Sequence, residues 1–201
     1  MLLGSYPIAA VMYLKQYESE LRGLPPVVVT AVTAEVTRLY ETDGVSAALH
    51  SWVVSDWDDV EAWGTTMLTF SDDTNAVVTA SFAMPGGVRN AFEVYTTNAA
   101  FHGRMTPNDA MKVYTPDPNA FGSEYLHEKL ESRTGWISAS PDDDWERGYL
   151  QEMQGFMERV ATGRQPLLGL KLARAVIRVV YASYLSAEIG QRVPLASADR
   201  A

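Results

Sequence analysis

The chain opens on an amphipathic repeat. Ile8, Val11, Met12 and Leu14 recur at helical spacing. Ser5 before them suits an N-cap and Pro7 a first turn. Gly23-Leu24-Pro25-Pro26 stops the repeat. Residues 27–36, rich in Val, Thr and Ala, read as a strand. Residues 40–61 show no clear period and contain the turn Asp43-Gly44 and the loop-like Asp56-Trp57-Asp58-Asp59. From 64 to 70, apolar and polar residues alternate. A turn at 71–75 and a second run at 76–83 complete an antiparallel hairpin. Pro85-Gly86-Gly87 turns the chain again. A third strand is expected at 90–97, and two short ones at 101–105 and 111–115 around Pro107-Asn108-Asp109.

The last third changes period. Leu150, Met153, Phe156, Met157 and Val160 mark one face of a helix expected over 145–162. Asp143 and Glu146 have the spacing of a capping box at its start. Gly163 ends it, with Pro166 beyond. A second long helix is expected over 168–189, stopped by Gly190 and followed by Pro194. Clustered strands followed by clustered helices predict an α+β fold. Its expected form is a large, mostly antiparallel open sheet with helices on one face. The 201 residues are read as a single domain: an entrance helix at 1–20, a sheet region at 27–115 and two long helices at 145–190.

Composition narrows the functions. A net charge of -9 disfavours a nucleic-acid backbone and an anionic membrane surface as partners. The absence of cysteine excludes a disulfide framework, a thiolate metal site and a cysteine nucleophile, and fits a cytoplasmic location. The longest apolar stretch, 172–189, carries Arg174 and Arg178 and reads as a buried helix, not a membrane span. No G-x-G-x-x-G follows an early strand, and no G-x-x-x-x-G-K-[ST] or G-x-S-x-G is present. The three histidines, His50, His102 and His127, have no zinc-like spacing, so no metal site is expected. The acidic run 142–144 reads as a helix N-terminus, not a cation site.

One set of residues carries a resemblance. The tail has Gly135-Trp136, Asp144-Trp145, Gly148-Tyr149, Glu152-Met153, Phe156, Gly163-Arg164 and Pro166. It continues with Ala173, Tyr181-Ala182-Ser183, Ser186-Ala187-Glu188 and Gly190. Together with Gly4-Ser5-Tyr6-Pro7-Ile8 at the start, this resembles the C-terminal domain of the glucose–fructose oxidoreductase, inositol dehydrogenase and MocA (Gfo/Idh/MocA) family. The resemblance covers nearly the whole chain and rests on the order and spacing of many pieces.

The resemblance implies an α+β domain whose sheet pairs subunits and whose end lines a substrate pocket. It also implies a separate Rossmann domain for NAD(P), and hydride transfer at a hydroxyl carbon of a sugar or polyol. The family's catalytic pair is a lysine of an E-K-P motif in the Rossmann half and a His or Tyr at the position matched by Tyr6. That lysine has no counterpart here. Two Asp positions of the family pattern are Leu2 and Ala9, and its glycine-bearing G-T-x-G turn stands here as Thr96-Thr97-Asn98-Ala99, so that turn must take a different course.

Tyr6 is therefore the candidate catalytic residue. A phenol takes a hydroxyl proton when a neighbouring cation draws it down, and the absent lysine would be that cation. Arg89, Asn90 and His102, on or beside strands, are the candidate substrate-binding residues, although isolated strand polar residues more often face solvent. Trp57, Trp63, Trp136 and Trp145 could stack on a sugar ring; Trp136 and Trp145 read better as fixing the loop before the first long helix. Arg164 reads as an anchor of the interhelical turn, and Arg174 with Arg178 as interface or ion-pair residues.

The expected protein is thus the substrate-binding and subunit-pairing half of an NAD(P)-dependent oxidoreductase, binding no cofactor by itself. Its expected partners are a second copy through the sheet face, a separate Rossmann-domain chain and a small sugar-like substrate. The competing reading is a non-catalytic pairing or ligand-binding module derived from that family.

Overall fold

The computed structural model describes residues 4–38, 61–83, 89–97, 99–104, 111–120, 122–123, 133–139, 147–166 and 168–195. The chain divides into two compact units, residues 1–84 with 167–201, and residues 85–166.

In the first unit, helix α1 (Ser5–Leu21) leads into strands β1 (Val29–Thr37), β2 (Trp63–Phe70) and β3 (Asn75–Ser81). The long helix α3 (Leu170–Ile189) and the short strand β8 (Val193–Pro194) follow from the far end of the chain. The sheet order is β3-β2-β1-β8, antiparallel throughout. Its inward residues are those the alternation assigns: Val32 and Ala34 on β1, Thr66, Leu68 and Phe70 on β2, and Val78 on β3 are buried. Against them lie Ile8 and Met12 of α1 and Leu172, Val176, Val179 and Ala182 of α3, forming one hydrophobic cluster.

Buried hydroxyls join these layers. Ser183 Oγ pairs with Thr66 Oγ1 at 3.0 Å and donates to the Val179 carbonyl at 2.9 Å. Ser186 Oγ accepts from the Ala34 amide at 3.0 Å and donates to the Gln191 carbonyl at 2.6 Å. Strand β8 reaches only Ala31 and Val32 of β1. The Ser186 hydroxyl takes over one residue pair further along, where Ala34 pairs with Thr66 of β2 but not with β8.

Both helices of this unit pack on the inward face. Thr33, Glu35 and Thr37 of β1 are exposed, as are Met67 of β2 and Val77 and Thr79 of β3. In register they form rows such as Thr33–Met67–Val77 and Glu35–Thr65–Thr79. The β2–β3 turn is held by Asp73 in the left-handed region at φ 62° and by Lys15 of α1, whose Nζ lies 2.8 Å from Asp72 Oδ2.

The second unit contains two antiparallel hairpins and a helix. Strands β4 (Ala91–Tyr95) and β5 (Ala100–Arg104) pair, as do β6 (Met111–Thr115) and β7 (Gly135–Ala139). Helix α2 (Tyr149–Thr162) lies between the left-handed glycines Gly148 (φ 80°) and Gly163 (φ 65°).

The α+β class, the antiparallel pairing and the helices packed on one sheet face match the sequence reading. Several local expectations change. Gly4, not Ser5, is the N-cap of α1; Ser5 is already helical, and no side chain caps this end. Strand β1 is shifted to Val29–Thr37, and the long helices start at Tyr149 and Leu170. The described strands form a four-stranded sheet and two hairpins. Strands β7 and β8 were not anticipated, and Trp136 stands within β7 instead of in a loop. The apolar face expected on α2 exists, but Leu150, Met153, Phe156, Met157 and Val160 are all exposed. The Asp143–Glu146 capping box, the turns at 85–87 and 107–109, Trp57, Trp145, His50 and His127 lie outside the described residues.

Candidate functional site

Tyr6 projects from the first turn of α1, and Pro7 beside it fixes the backbone for helical entry. The phenol is 74% exposed. Close by in the same unit, Gly4, Glu61, Gly64, Ser81 and Phe82 line a shallow hollow at the base of the β2–β3 hairpin. Glu61 Oε2 accepts a hydrogen bond from the Tyr184 hydroxyl of α3 at 2.8 Å. This bond ties the start of β2 to α3.

Arg89, Asn90 and His102 belong to the second unit. Arg89 and Asn90 are exposed and immediately precede β4. His102 is central on β5, directly opposite Glu93 of β4. The turn between these strands closes without glycine: the Thr96 amide donates to the Ala99 carbonyl at 2.8 Å, and the Ala99 amide to Thr96 Oγ1 at 3.0 Å. The threonine hydroxyl does locally what a glycine turn would have done by backbone freedom.

Alternation along the two strands sorts the hairpin into two faces. On one, the Phe92 ring covers Gly103 so closely that a Cβ at Gly103 would lie 2.1 Å from Phe92 Cζ. That contact secures the register. On the other face stand Glu93, Tyr95, His102 and Arg104, with the small Ala91 and Ala100 beside them. Tyr95 donates its hydroxyl to Glu93 Oε2 at 2.7 Å. His102 Nδ1 lies 3.4 Å from Glu93 Oε1, and the Tyr95 and His102 rings meet edge to face at 5.8 Å.

The electrostatics follow from these contacts. The Tyr95 hydrogen bond, then the charge of a protonated His102, hold the Glu93 carboxyl below the usual carboxylate range. The same hydrogen bond pushes the Tyr95 phenol up. The result is an exposed carboxylate flanked by two hydrogen-bonding rings, a surface suited to hydroxyl-bearing or cationic ligands. Sequence reasoning singled out His102 and missed Glu93 and Tyr95. The signal was present: a hairpin closing at 96–99 puts residues 93, 95 and 102 on one face.

Other sequence candidates are scattered. Trp136 is 75% exposed and meets Tyr114 edge to face at 5.5 Å on the β6–β7 hairpin. Arg174 is exposed and Arg178 half-buried on α3. Arg164 follows the end of α2, its amide bonded to the Arg159 carbonyl. Among the described residues no group of three or more His, Cys, Asp or Glu is placed to hold a metal ion, and no helix is long and apolar enough to cross a membrane.

The described residues do not fit a nicotinamide dinucleotide. Every described strand pair is antiparallel, so these strands form no parallel sheet on which a strand–glycine loop–helix unit could cradle a pyrophosphate.

The fold is that of part of a known class of oxidoreductase. GenD2 of gentamicin A biosynthesis, solved in complex with NAD, superposes with a TM-score of 0.65 at 24% identity over 89% of this chain and 44% of its own. The myo-inositol 2-dehydrogenase of Lactobacillus plantarum gives 0.59 at 15% identity, over 94% of this chain and 47% of its own. The scyllo-inositol dehydrogenase of Lactobacillus casei, with bound NAD(H) and scyllo-inositol, gives 0.57 at 14%, over 92% and 48%. The resemblance to Gfo/Idh/MocA oxidoreductases is thus shown at the level of fold, and the chain spans less than half the length of each of these structures. No protein-family model matches the chain, and no curated protein sequence does.

Proposed function

We propose that this chain is the substrate-binding and subunit-pairing part of an NAD(P)-dependent oxidoreductase acting on a sugar, polyol or related alcohol. In this reading the cofactor is held by residues outside the present sequence. One observation carries the proposal: the chain's fold corresponds to less than half of GenD2 and of two inositol dehydrogenases while nearly all of the chain is used in the match. The mismatch between an antiparallel fold and a dinucleotide cradle supports the same division of labour.

Within this reading, Tyr6 serves as the phenol next to the reacting hydroxyl, its exposed ring awaiting a cation from the cofactor-binding part. In the second unit, taken by itself, Arg89, Asn90 and His102 are the residues that offer hydrogen bonds to a polyol's hydroxyl groups. These side chains are exposed and polar, so they can offer hydrogen bonds to hydroxyl groups.

The test is a titration of the 201-residue chain with NADH and NADPH, followed by nicotinamide fluorescence. The expected result is no saturable binding below about millimolar concentration, the weak end of the affinity scale. Micromolar binding of either nucleotide by this chain alone would overturn the division of labour.

A further inference from the structure

Building on the polyol-binding reading above, we propose that the Glu93–Tyr95–His102 face recognises an amino-substituted polyol. Its ammonium group sits on the Glu93 carboxylate, and its neighbouring hydroxyl on Tyr95 and His102 Nε2. The argument begins with charge. A carboxylate offers about four lone-pair positions. Glu93 uses one oxygen for the Tyr95 hydroxyl at 2.7 Å and holds His102 only loosely, at 3.4 Å. His102 neutralises it only when protonated. Both side chains stay about 60% exposed. The face therefore presents a carboxylate kept in its charged form by the Tyr95 hydrogen bond, with the imidazole beside it.

Geometry supplies the second part. The Tyr95 hydrogen bond and the edge-to-face Tyr95–His102 contact orient the carboxylate and imidazole before any ligand arrives. With Nδ1 turned toward Glu93, Nε2 faces away and is available to a hydroxyl. Ala91 and Ala100 lie on the same face as the cluster, opposite Arg104 and Tyr95 respectively. The Phe92–Gly103 contact on the opposite face keeps Glu93 and His102 in register. Arg104 shares the face two residues beyond His102, opposite Ala91.

The whole molecule points the same way. A net charge of -9 favours the approach of cations and opposes phosphorylated or acidic sugars. A neutral polyol would use the hydroxyl-binding groups but leave the carboxylate without a charged partner. The ammonium contact is charge-assisted and stronger than a neutral hydrogen bond.

The experiment follows the His102 imidazole and Tyr95 ring signals of the isotopically labelled 201-residue chain by NMR, near neutral pH and at low salt. Glucosamine, glucose, N-acetylglucosamine and methylammonium are titrated separately. Glucosamine is expected to bind about tenfold more tightly than the other three, the scale of one charge-assisted hydrogen bond. Glu93→Gln, at an exposed position, is expected to reduce glucosamine binding to the glucose level, and added salt to weaken it. Equal binding of glucose and glucosamine, or unchanged glucosamine binding by Glu93→Gln, would overturn the amino-polyol inference and leave the polyol site standing. Methylammonium binding as tightly as glucosamine would show a bare cation contact and overturn it as well. If no sugar moves His102, the polyol-site reading falls together with this one.

Discussion

Single buried hydroxyls do more in this protein than their size suggests. Ser186 is 1% exposed and satisfies two backbone groups at once, the Ala34 amide and the Gln191 carbonyl. Replacing it with alanine removes one oxygen and leaves the buried Ala34 amide without its partner. Ser186→Ala is therefore expected to cost about 2 kcal/mol, read as a lowered midpoint in urea unfolding with an unchanged slope. A loss below a few tenths would mean that water reaches Ala34 and replaces the hydroxyl. In the sequence this serine was only one member of the pattern Ser186-Ala187-Glu188. Its role depends on a strand 152 residues away in the chain.

At the scale of elements, α1 is tied to the β2–β3 turn by charge as well as by its apolar face. Burial pushes the Asp72 carboxyl up, but hydrogen bonds from Lys15 and from the Thr74 hydroxyl and amide outweigh it and hold the group at about 2, against an ordinary 3.8. Burial likewise opposes the charge on Lys15, and Asp72 and Glu18 together outweigh it, so the ammonium titrates above its ordinary 10.5. The Asp72 contribution is therefore complete above about pH 4 and is lost as pH falls toward 2. The Lys15 contribution is present below pH 10.5 and is lost as pH rises through its raised value. Asp72→Asn is expected to destabilise by about 1 kcal/mol at neutral pH, after allowance for solvent screening of a partly exposed pair. The difference from the parent chain should vanish near pH 2, measured by thermal unfolding across pH. A difference that persists unchanged in acid would assign the effect to packing.

The elements with strong local signals were legible. The 3.6-residue repeat located α1, α2 and α3, and the alternation either side of 71–75 located β2 and β3. Gly163 and Gly190 end α2 and α3 as read, both in the left-handed region. Boundaries moved where local signals competed. Ser5 has the chemistry of an N-cap, yet Gly4 takes the position and its carbonyl accepts the Ile8 amide at 3.1 Å. Starting the helix one residue earlier leaves Ile8 fully buried in the core, and the core outweighs one capping bond. Strands β7 and β8 escaped notice because each is short and paired with a distant segment.

For the whole molecule, the outward face of the four-stranded sheet carries the prediction of pairing. Met67 and Val77 are adjacent in register and 41% and 67% exposed, amid threonines and, among the described strand residues of this face, one carboxylate, Glu35. A face this low in charge buries well against a copy of itself, since an isologous contact brings the same apolar row to both sides. Sedimentation is expected to show a dimer or larger species, and the double substitution Met67→Lys with Val77→Lys to shift it to monomer by charge repulsion and desolvation cost. A parent chain that stays monomeric at high concentration would remove subunit pairing from the proposed function.

The sequence by itself determined the three helices, most of the strands, which sides of them are apolar, and the α+β class, because periodicity is a local property of the chain. It also carried the resemblance, through many separate residues in order. The grouping of Glu93, Tyr95 and His102 follows from the register of one local hairpin. Tertiary structure alone decided that Ser186 completes the ladder of β1 and that the apolar side of α2 is exposed. Each of these depends on register or packing between segments distant in the chain, and local preference holds no information about which surface will meet which.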